Sequence, residues 1–486
     1  MRKKILPFSI LLLALLTITT IHAQQVRTSY FMNGEPLRLN INPALAPTNG
    51  FYTIPILQMG MSLSSNVFGT RYFSEIIGNS DDPDFFTSNS FMKNLDPHNY
   101  FNFRYDLNII SFGWWKRDAF WNVDIAMRTT ADIRFPRQLF DFMKDMRSSE
   151  NIDWHKQKHN LSGTDATITS YLETGVGYAK PINEKLTIGG KAKFLLGIFN
   201  LHANIDQMDI DINLDDVDEN IDWSETTPEE VQQMNGHVDL DMHALFNGYC
   251  KSFDIIKELD SNEMDDIEYG SFGFSGKGVS FDLGAQYQLN EKINLSLAVT
   301  DIGFIKWKDS AHRQVIGAAN VHYSCQNDPE AIIDLLGSGE VFNGEAFDQL
   351  ESYVPEESKS DSCSWLNANI VAGFEYKPIE KISLGLLSTS YLARKSSSEL
   401  TLSFVYSPVK KINLALSYSM LQSRARSFGF GIGLGRILFI GTDYMWLNND
   451  SKVTNAVVGL TVPLRSRESK QKTTEKKTSS SLNSLI

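Results

Sequence analysis

The 486-residue chain carries 58 acidic against 45 basic side chains, a formal net charge of −13, and 42% of its residues are hydrophobic. That acidic balance excludes a nucleic-acid binder, which needs a basic face for the phosphate backbone. Composition alone does not separate a set of soluble domains from a membrane barrel, so the decision rests on patterning along the chain.

Arg2, Lys3 and Lys4 precede an apolar run from Ile5 to Ile21 that closes on His22 and Ala23 before Gln24. This is the layout of a secretory signal peptide over 1–23, with cleavage expected after Ala23. Gln24 is not a cysteine, so no lipid-anchor cleavage site is evident. Beyond that segment there is no run of about 18 or more apolar residues of the kind a membrane-spanning helix requires. Residues 24–50 then form a short segment ahead of the first strand, and "LRLNINPALAPTNGFYTIP" from Leu37 runs out of it into that strand.

From residue 51 onward one phrase recurs. It reads "VGYAKPINEKLTIGG" from Val176, "AQYQLNEKINLSL" from Ala285, "FEYKPIEKISLGLL" from Phe374 and "FVYSPVKKINLAL" from Phe404. Before each turn apolar and polar residues alternate, as with Phe281, Leu283, Ala285 and Tyr287 against Asp282, Gly284, Gln286 and Gln288. Side chains of a strand point alternately to opposite sides, so each phrase is an antiparallel hairpin with one apolar face. After the turn of the last phrase, Ile412, Leu414, Leu416, Tyr418 and Met420 alternate with small uncharged Asn413, Ala415, Ser417 and Ser419.

A soluble sandwich would share that alternation. The turns favour a membrane: Tyr178, Tyr287, Tyr376 and Tyr406 close the upstream strands, and Lys185, Lys292, Lys381 and Lys411 lie in the turns. Amphipathic rings at headgroup level beside cations in water are the mark of a membrane interface. A fifth turn, "SFGWWKRDAFWNV" from Ser111, sets Lys116, Arg117 and Asp118 between Trp114, Trp115, Phe120 and Trp121, and is expected to extend the aromatic girdle.

Taking these short turns as periplasmic fixes the direction of each strand. The predicted strands run 51–64, 101–115, 120–134, 167–179, 186–202, 279–289, 293–305, 367–377, 382–392, 400–407, 412–420, 427–434, 437–447 and 453–464. The fold class is therefore all-β, a transmembrane antiparallel β-barrel of about fourteen strands spanning 51–464, an even number as single-chain bacterial barrels require. Long segments 65–100, 135–166, 203–278 and 306–366 fall at alternate connections and are expected outside the cell. Within the last, "RQVIGAANVHYS" is either a further strand or an extension beyond the membrane. Residues 203–278 hold twenty Asp or Glu, and "DIDINLDDVDEN" from Asp209 alternates acid with Ile210, Ile212 and Leu214, so the strand is expected to continue above the membrane. After Leu464, "RSRESKQKTTEKKTSSSLNSLI" carries basic residues without apolar periodicity and reads as a disordered periplasmic tail, 465–486.

Catalytic and metal signatures do not emerge. The acidic stretch fails the helix-loop-helix calcium pattern, with Leu214 at the turn-glycine position and Asn220 at the closing glutamate. His155 and His159 lie four apart among lysines in an expected loop. No nucleophile elbow, phosphate-binding glycine loop or dinucleotide fingerprint is present, so neither an enzyme nor a cofactor is expected. Of Cys250, Cys325 and Cys363, the latter two bracket one long segment, and a disulfide at its base is the natural pairing.

Asn42, Pro43 and Ala44 form an N-P-A motif just ahead of the first strand. The motif resembles the N-terminal hatch of the FadL-type long-chain fatty-acid transporters, and similar openings occur in PorV-type and PorP/SprF-type barrels of Bacteroidota associated with type IX secretion. With "DIGFIKWK" from Asp301, the chain resembles a Bacteroidota outer-membrane barrel family of that kind. The resemblance implies an outer-membrane barrel whose segment 24–50 folds into the lumen as a plug, and FadL-type barrels share the fourteen-strand count. It implies a channel for a hydrophobic small molecule, with membrane lipid around the barrel. The alternative is a structural or secretion-associated barrel that docks a partner protein through its acidic loops. No ligand-binding residue beyond the hatch motif carries over.

Overall fold

Alternation at period two generates the observed architecture directly. The computed structural model describes residues 27–67, 88–147, 157–215, 217, 221, 223, 225–257, 264–337, 351–353, 362–392, 397–409, 411–421, 426–435, 437–445 and 453–466. The expected signal peptide, His155, Asn220 and nearly all of the basic tail lie outside these residues.

Fourteen strands close a barrel: β1 (Asn49–Ser65), β2 (His98–Lys116), β3 (Ala119–Pro136), β5 (Thr164–Pro181), β6 (Leu186–Asp215), β10 (Gly276–Gln288), β11 (Ile293–Trp307), β15 (Ala368–Ile379), β16 (Ile382–Leu392), β17 (Ser397–Val409), β18 (Ile412–Leu421), β19 (Arg426–Leu434), β20 (Leu438–Met445) and β21 (Val453–Ser466). Each pairs antiparallel with the next, and β1 pairs with β21 to close the ring. Closure leaves no unpaired edge, the condition for spanning a membrane with strands. No helix among the described residues is long and apolar enough to cross a membrane.

The two faces of the wall differ as their sequences dictate. Leu283 and Leu297 are 60% and 55% exposed, and Phe281, Leu384, Phe404, Leu416 and Ile440 are likewise uncovered. Ala415, Ser417 and Ser419 are buried toward the inside. An exterior of exposed Leu, Phe, Val and Ile around a polar interior inverts a soluble protein and needs a hydrocarbon surround. Tyr178, Tyr287, Tyr376 and Tyr406 all lie exposed above their turns. Two turns share one lock: Asn183 Oδ1 accepts the backbone N–H groups of Lys185 and Leu186, and Asn290 Oδ1 those of Lys292 and Ile293. This Asx arrangement is why the phrase "NEK" recurs. The fifth turn corrects the girdle expectation by half. Trp114 lies beside Phe112 and Trp121 beside Tyr178 on the outside, but Trp115 and Phe120 point inward, because strand parity sends adjacent aromatics to opposite faces.

At the long-loop end the wall continues into a separate unit. The outer half of the 30-residue β6 pairs with β4 (Gln157–Asn160) and with β7 (Asn235–Cys250), which pairs in turn with β12 (His312–Ser324). The stretch "RQVIGAANVHYS" is thus an extension beyond the barrel, and fourteen remains the number of wall strands. Met208, Ile210, Ile212 and Leu214 of β6, with Val238 and Met242 of β7, form one apolar face, covered by Phe142, Trp223, Val231 and Ile332. The acids that alternate with them, Asp209, Asp211, Asp239 and Asp241, form the other face.

The expected Cys325–Cys363 bridge is absent, and all three cysteines are free. Cys325 is buried in the outer core just past the far end of β12. Cys363 is exposed and pairs across to Lys306 at the barrel rim, where β12 begins. The 13 residues of β12 separate the two by roughly 40 Å at about 3.3 Å per residue, whereas a disulfide needs Cα atoms within about 7 Å. Bracketing a segment in sequence did not place its ends together.

Candidate functional site

The lumen at the short-turn end is filled by the chain's own residues 27–48. Two short 3-10 turns, Arg27–Ser29 and Pro36–Asn40, fold the segment on itself, and Gly34 takes the left-handed conformation (φ 97°) between them. Pro36 suits the first position of its turn because it has no N–H to leave unpaired. Tyr30, Phe31, Met32, Ile41 and Leu45 are buried against the inner wall residues Val371, Leu387, Val405, Ala415 and Phe439. Leu39 and Ala46 pack with Phe51, Phe120 and Trp115, whose Nε1 donates to the Pro47 carbonyl at 2.9 Å.

The N-P-A residues sit in a seat made of missing side chains. Gly284 of β10 and Gly189 of β6 face each other across the ladder. A Cβ at Gly189 would collide with the Pro43 carbonyl and the Ala44 nitrogen, and one at Gly284 with Asn42 Oδ1 and Pro43 Cδ. Asn42 is fully buried. Its Oδ1 accepts from Ala44 N at 2.9 Å, and its Nδ2 donates to Tyr30 Oη at 3.2 Å and to the Leu297 carbonyl at 3.4 Å. Tyr30 Oη donates onward to Ser296 Oγ at 2.9 Å. Asn is suited to this task because its amide both closes the local turn and reaches the wall. Phe31 over Gly385, Tyr30 over Gly373, Thr28 over Gly429 and Glu35 over Gly433 repeat the pattern of a bulky plug residue against a wall glycine.

Toward the other end the wall carries a continuous band of buried charge. Arg128 on β3 lies 3.2 Å from Asp106 on β2 and 3.6 Å from Glu173 on β5. Lys191 on β6 contacts Asp124 at 2.8 Å and Glu173 at 3.4 Å. Lys193 joins Asp282 at 2.8 Å and Asp301 at 2.6 Å. Gly175 and Gly177 leave room for Lys191 and Asn122 to lie flat on the wall. Buried charges persist only when paired in this way, so the inward face presents both signs here. Sequence reasoning passed over this band. Its signal was there in the period-two series Asn122, Asp124, Ala126 and Arg128, which sets charges on the inward face of a strand.

A second charged group holds the start of the plug. Arg27 contacts Glu399 at 3.2 Å and donates to Tyr444 Oη at 2.8 Å and Thr389 Oγ1 at 3.1 Å. Beyond the charge band, Tyr171, Leu195, Tyr249, Ile305 and Trp307 form an apolar cluster at the rim below the outer unit. The outer unit carries further polar pairs: Asp206 and His243 lie 2.6 Å apart, and that hydrogen bond holds the Asp206 carboxyl below its usual range. Burial pushes the Cys325 thiol up. No group of three or more His, Cys, Asp or Glu side chains among the described residues could hold a metal ion.

A family model described as "Family of unknown function (DUF5723)" matches residues 43–443. No curated protein matches the sequence at a significant level. Among solved structures, the chain is similar to the Pseudomonas putida toluene transporter TodX, at 9% identity and a TM-score of 0.40 over 91% of this chain and 96% of that one. It is also similar to the CymD monoaromatic hydrocarbon channel, at 7% identity and a TM-score of 0.31 over 91% and 94%.

Proposed function

Because this chain belongs to the DUF5723 family, whose function is unknown, we propose its role from its own geometry: an outer-membrane β-barrel channel that its N-terminal segment closes and that passes a small molecule with an apolar body. The exposed apolar exterior supports the membrane, the short turns face the periplasm and the outer unit faces the medium. One observation carries the channel reading. Residues 27–48 occupy the lumen through seats of wall glycine, contacts that a covalently continuous wall strand would not need and that a displaced plug would vacate.

The lining bears on the passenger. The apolar rim cluster of Tyr171, Leu195, Tyr249, Ile305 and Trp307 suits a hydrophobic solute, and the paired charges beneath it suit a polar head. The resemblance of the N-P-A opening to FadL-type hatches supports the same class of passenger. The test is uptake into liposomes of a fluorescent long-chain carboxylic acid, with a charged sugar of similar mass as control. Faster uptake of the acid through a chain lacking residues 27–46 than through the full barrel supports the reading, and equal rates for both solutes contradict it.

A second reading has an observation of its own. The face of the outer sheet opposite its core sets Asp209 across from Asp241 and Asp211 across from Asp239; Asn160, Lys158, Gln207 and His322 partner these acids one by one, with Lys158 the one lysine among those partners. A structural or secretion-associated barrel docking a basic partner protein would use such a face. Stoichiometric capture of one protein by the native barrel, abolished when these four acids become Asn, would favour this reading over transport.

A further inference from the structure

The wall ladder is shortest between β20 and β21. Only Leu438–Gly441 pair with Leu460–Val457, although β20 runs on to Met445 and β21 begins at Val453. On its other side β20 is bulged: Thr442 faces Phe430 and Met445 faces Phe428, so Asp443 and Tyr444 together oppose the single residue Gly429. A bulge re-aims side chains, and here both Asp443 and Tyr444 are buried. Where backbone pairing stops, the Asn455 side chain replaces it. Asn455 Oδ1 accepts from Asp443 N at 2.7 Å and Thr442 Oγ1 at 3.1 Å, and its Nδ2 donates to Asp443 Oδ2 at 3.1 Å.

The same carboxylate holds the plug. Asp443 Oδ1 accepts from Thr28 N and from Thr28 Oγ1, each at 2.7 Å, and Oδ2 accepts from Arg27 N at 2.9 Å. Arg27 Nη1 lies 3.6 Å from Oδ2 and also bonds the neighbouring Tyr444 Oη. Gly429 leaves the space for this contact, since a Cβ there would meet Thr28 Oγ1, Ser417 Oγ and the Thr442 carbonyl.

We infer that Asp443 interlocks the plug with the β20–β21 seam, so that release of the plug and loosening of the wall at this seam are a single event. With Arg27 and Thr28 gone, a buried carboxylate keeps only the Asn455 amide, and a buried charge short of donors draws in water. That water competes for Asn455, the side chain that closes the seam. The inference rests on the plug occupying the lumen and regulates the same site; its test reads the wall itself and does not depend on whether the opened barrel conducts.

Hydrogen–deuterium exchange on the full barrel in detergent micelles tests it, with heat-dependent gel migration confirming that each variant is folded. The variant Arg27→Ala/Thr28→Val is expected to speed exchange of amides 442–445 and 453–456 at least tenfold while leaving β15–β18 unchanged. Coupling is reciprocal, so Asn455→Leu, which opens the seam from the wall side, is expected to speed exchange of plug amides 28–32 as well. Thr28→Ser keeps the hydroxyl and is expected to match the parent. The interlock is overturned if the first variant changes exchange in the plug alone, or if Asn455→Leu loosens the seam and leaves the plug protected.

Discussion

Gly284 shows what one absent side chain contributes. With Gly189 opposite, it leaves a hollow that Asn42 and Pro43 fill, and substituting valine for Gly284 is expected to push the plug from its seat. Overpacking of a filled site costs about 1–3 kcal/mol, so thermal denaturation is expected to shift downward while the barrel still shows heat-dependent gel migration, and protease is expected to cut within 27–48. Asn42→Ala removes a buried amide that satisfies Tyr30 and the Leu297 carbonyl, a loss of about 1–3 kcal/mol read by the same melt. Burial raises the Cys325 thiol and shields it, so a maleimide at neutral pH is expected to modify the exposed Cys363 and spare Cys325 until the outer unit unfolds. At this scale the N-P-A residues were legible in the sequence and their seat was not. The glycines that receive them come from strands more than 140 residues away, and a glycine in an alternating strand looks the same whether it faces lipid, a plug or a neighbouring lysine.

At the scale of elements, alternation made the wall strands readable, because each strand meets hydrocarbon on one side and a polar interior on the other and has little freedom in register. Where strands rise above the barrel that constraint changes. The outer half of β6 stays amphipathic, but its apolar face now meets helices and loops, and its partners β4 and β7 are chosen by packing that spacing does not encode. Pro55 in "TIPIL" hinted at another irregularity: both ladders of β1 skip from Tyr52 or Thr53 to Gln58, and Ile56 sits at a φ of 67°. A proline has no N–H for the ladder, so a bulge there is its natural accommodation. The outer unit has its own core, so Leu214→Ala, at a fully buried position, is expected to cost about 2–5 kcal/mol of that unit alone. Limited proteolysis should then cut within 203–257 faster, with the barrel's gel migration unchanged; a matching loss of barrel stability would show that the two fold as one.

For the whole molecule, the paired charges, the glycine seats and the short seam describe a barrel whose lumen residues 27–48 fill, which under the proposed function is its closed state. The exterior and strand count were in the sequence because a membrane imposes them on every residue of the wall. The closure was only hinted at, since it depends on which inward side chains meet across the lumen. Heat-dependent migration on a gel is expected from the closed ring of fourteen strands. Conductance in planar bilayers tests the central claim most directly, comparing the full barrel with a chain lacking residues 27–46. A quiet full-length protein and steady discrete openings from the shortened one are predicted; equal conductance from both, or silence from both with the shortened barrel shown to be folded, would contradict the account.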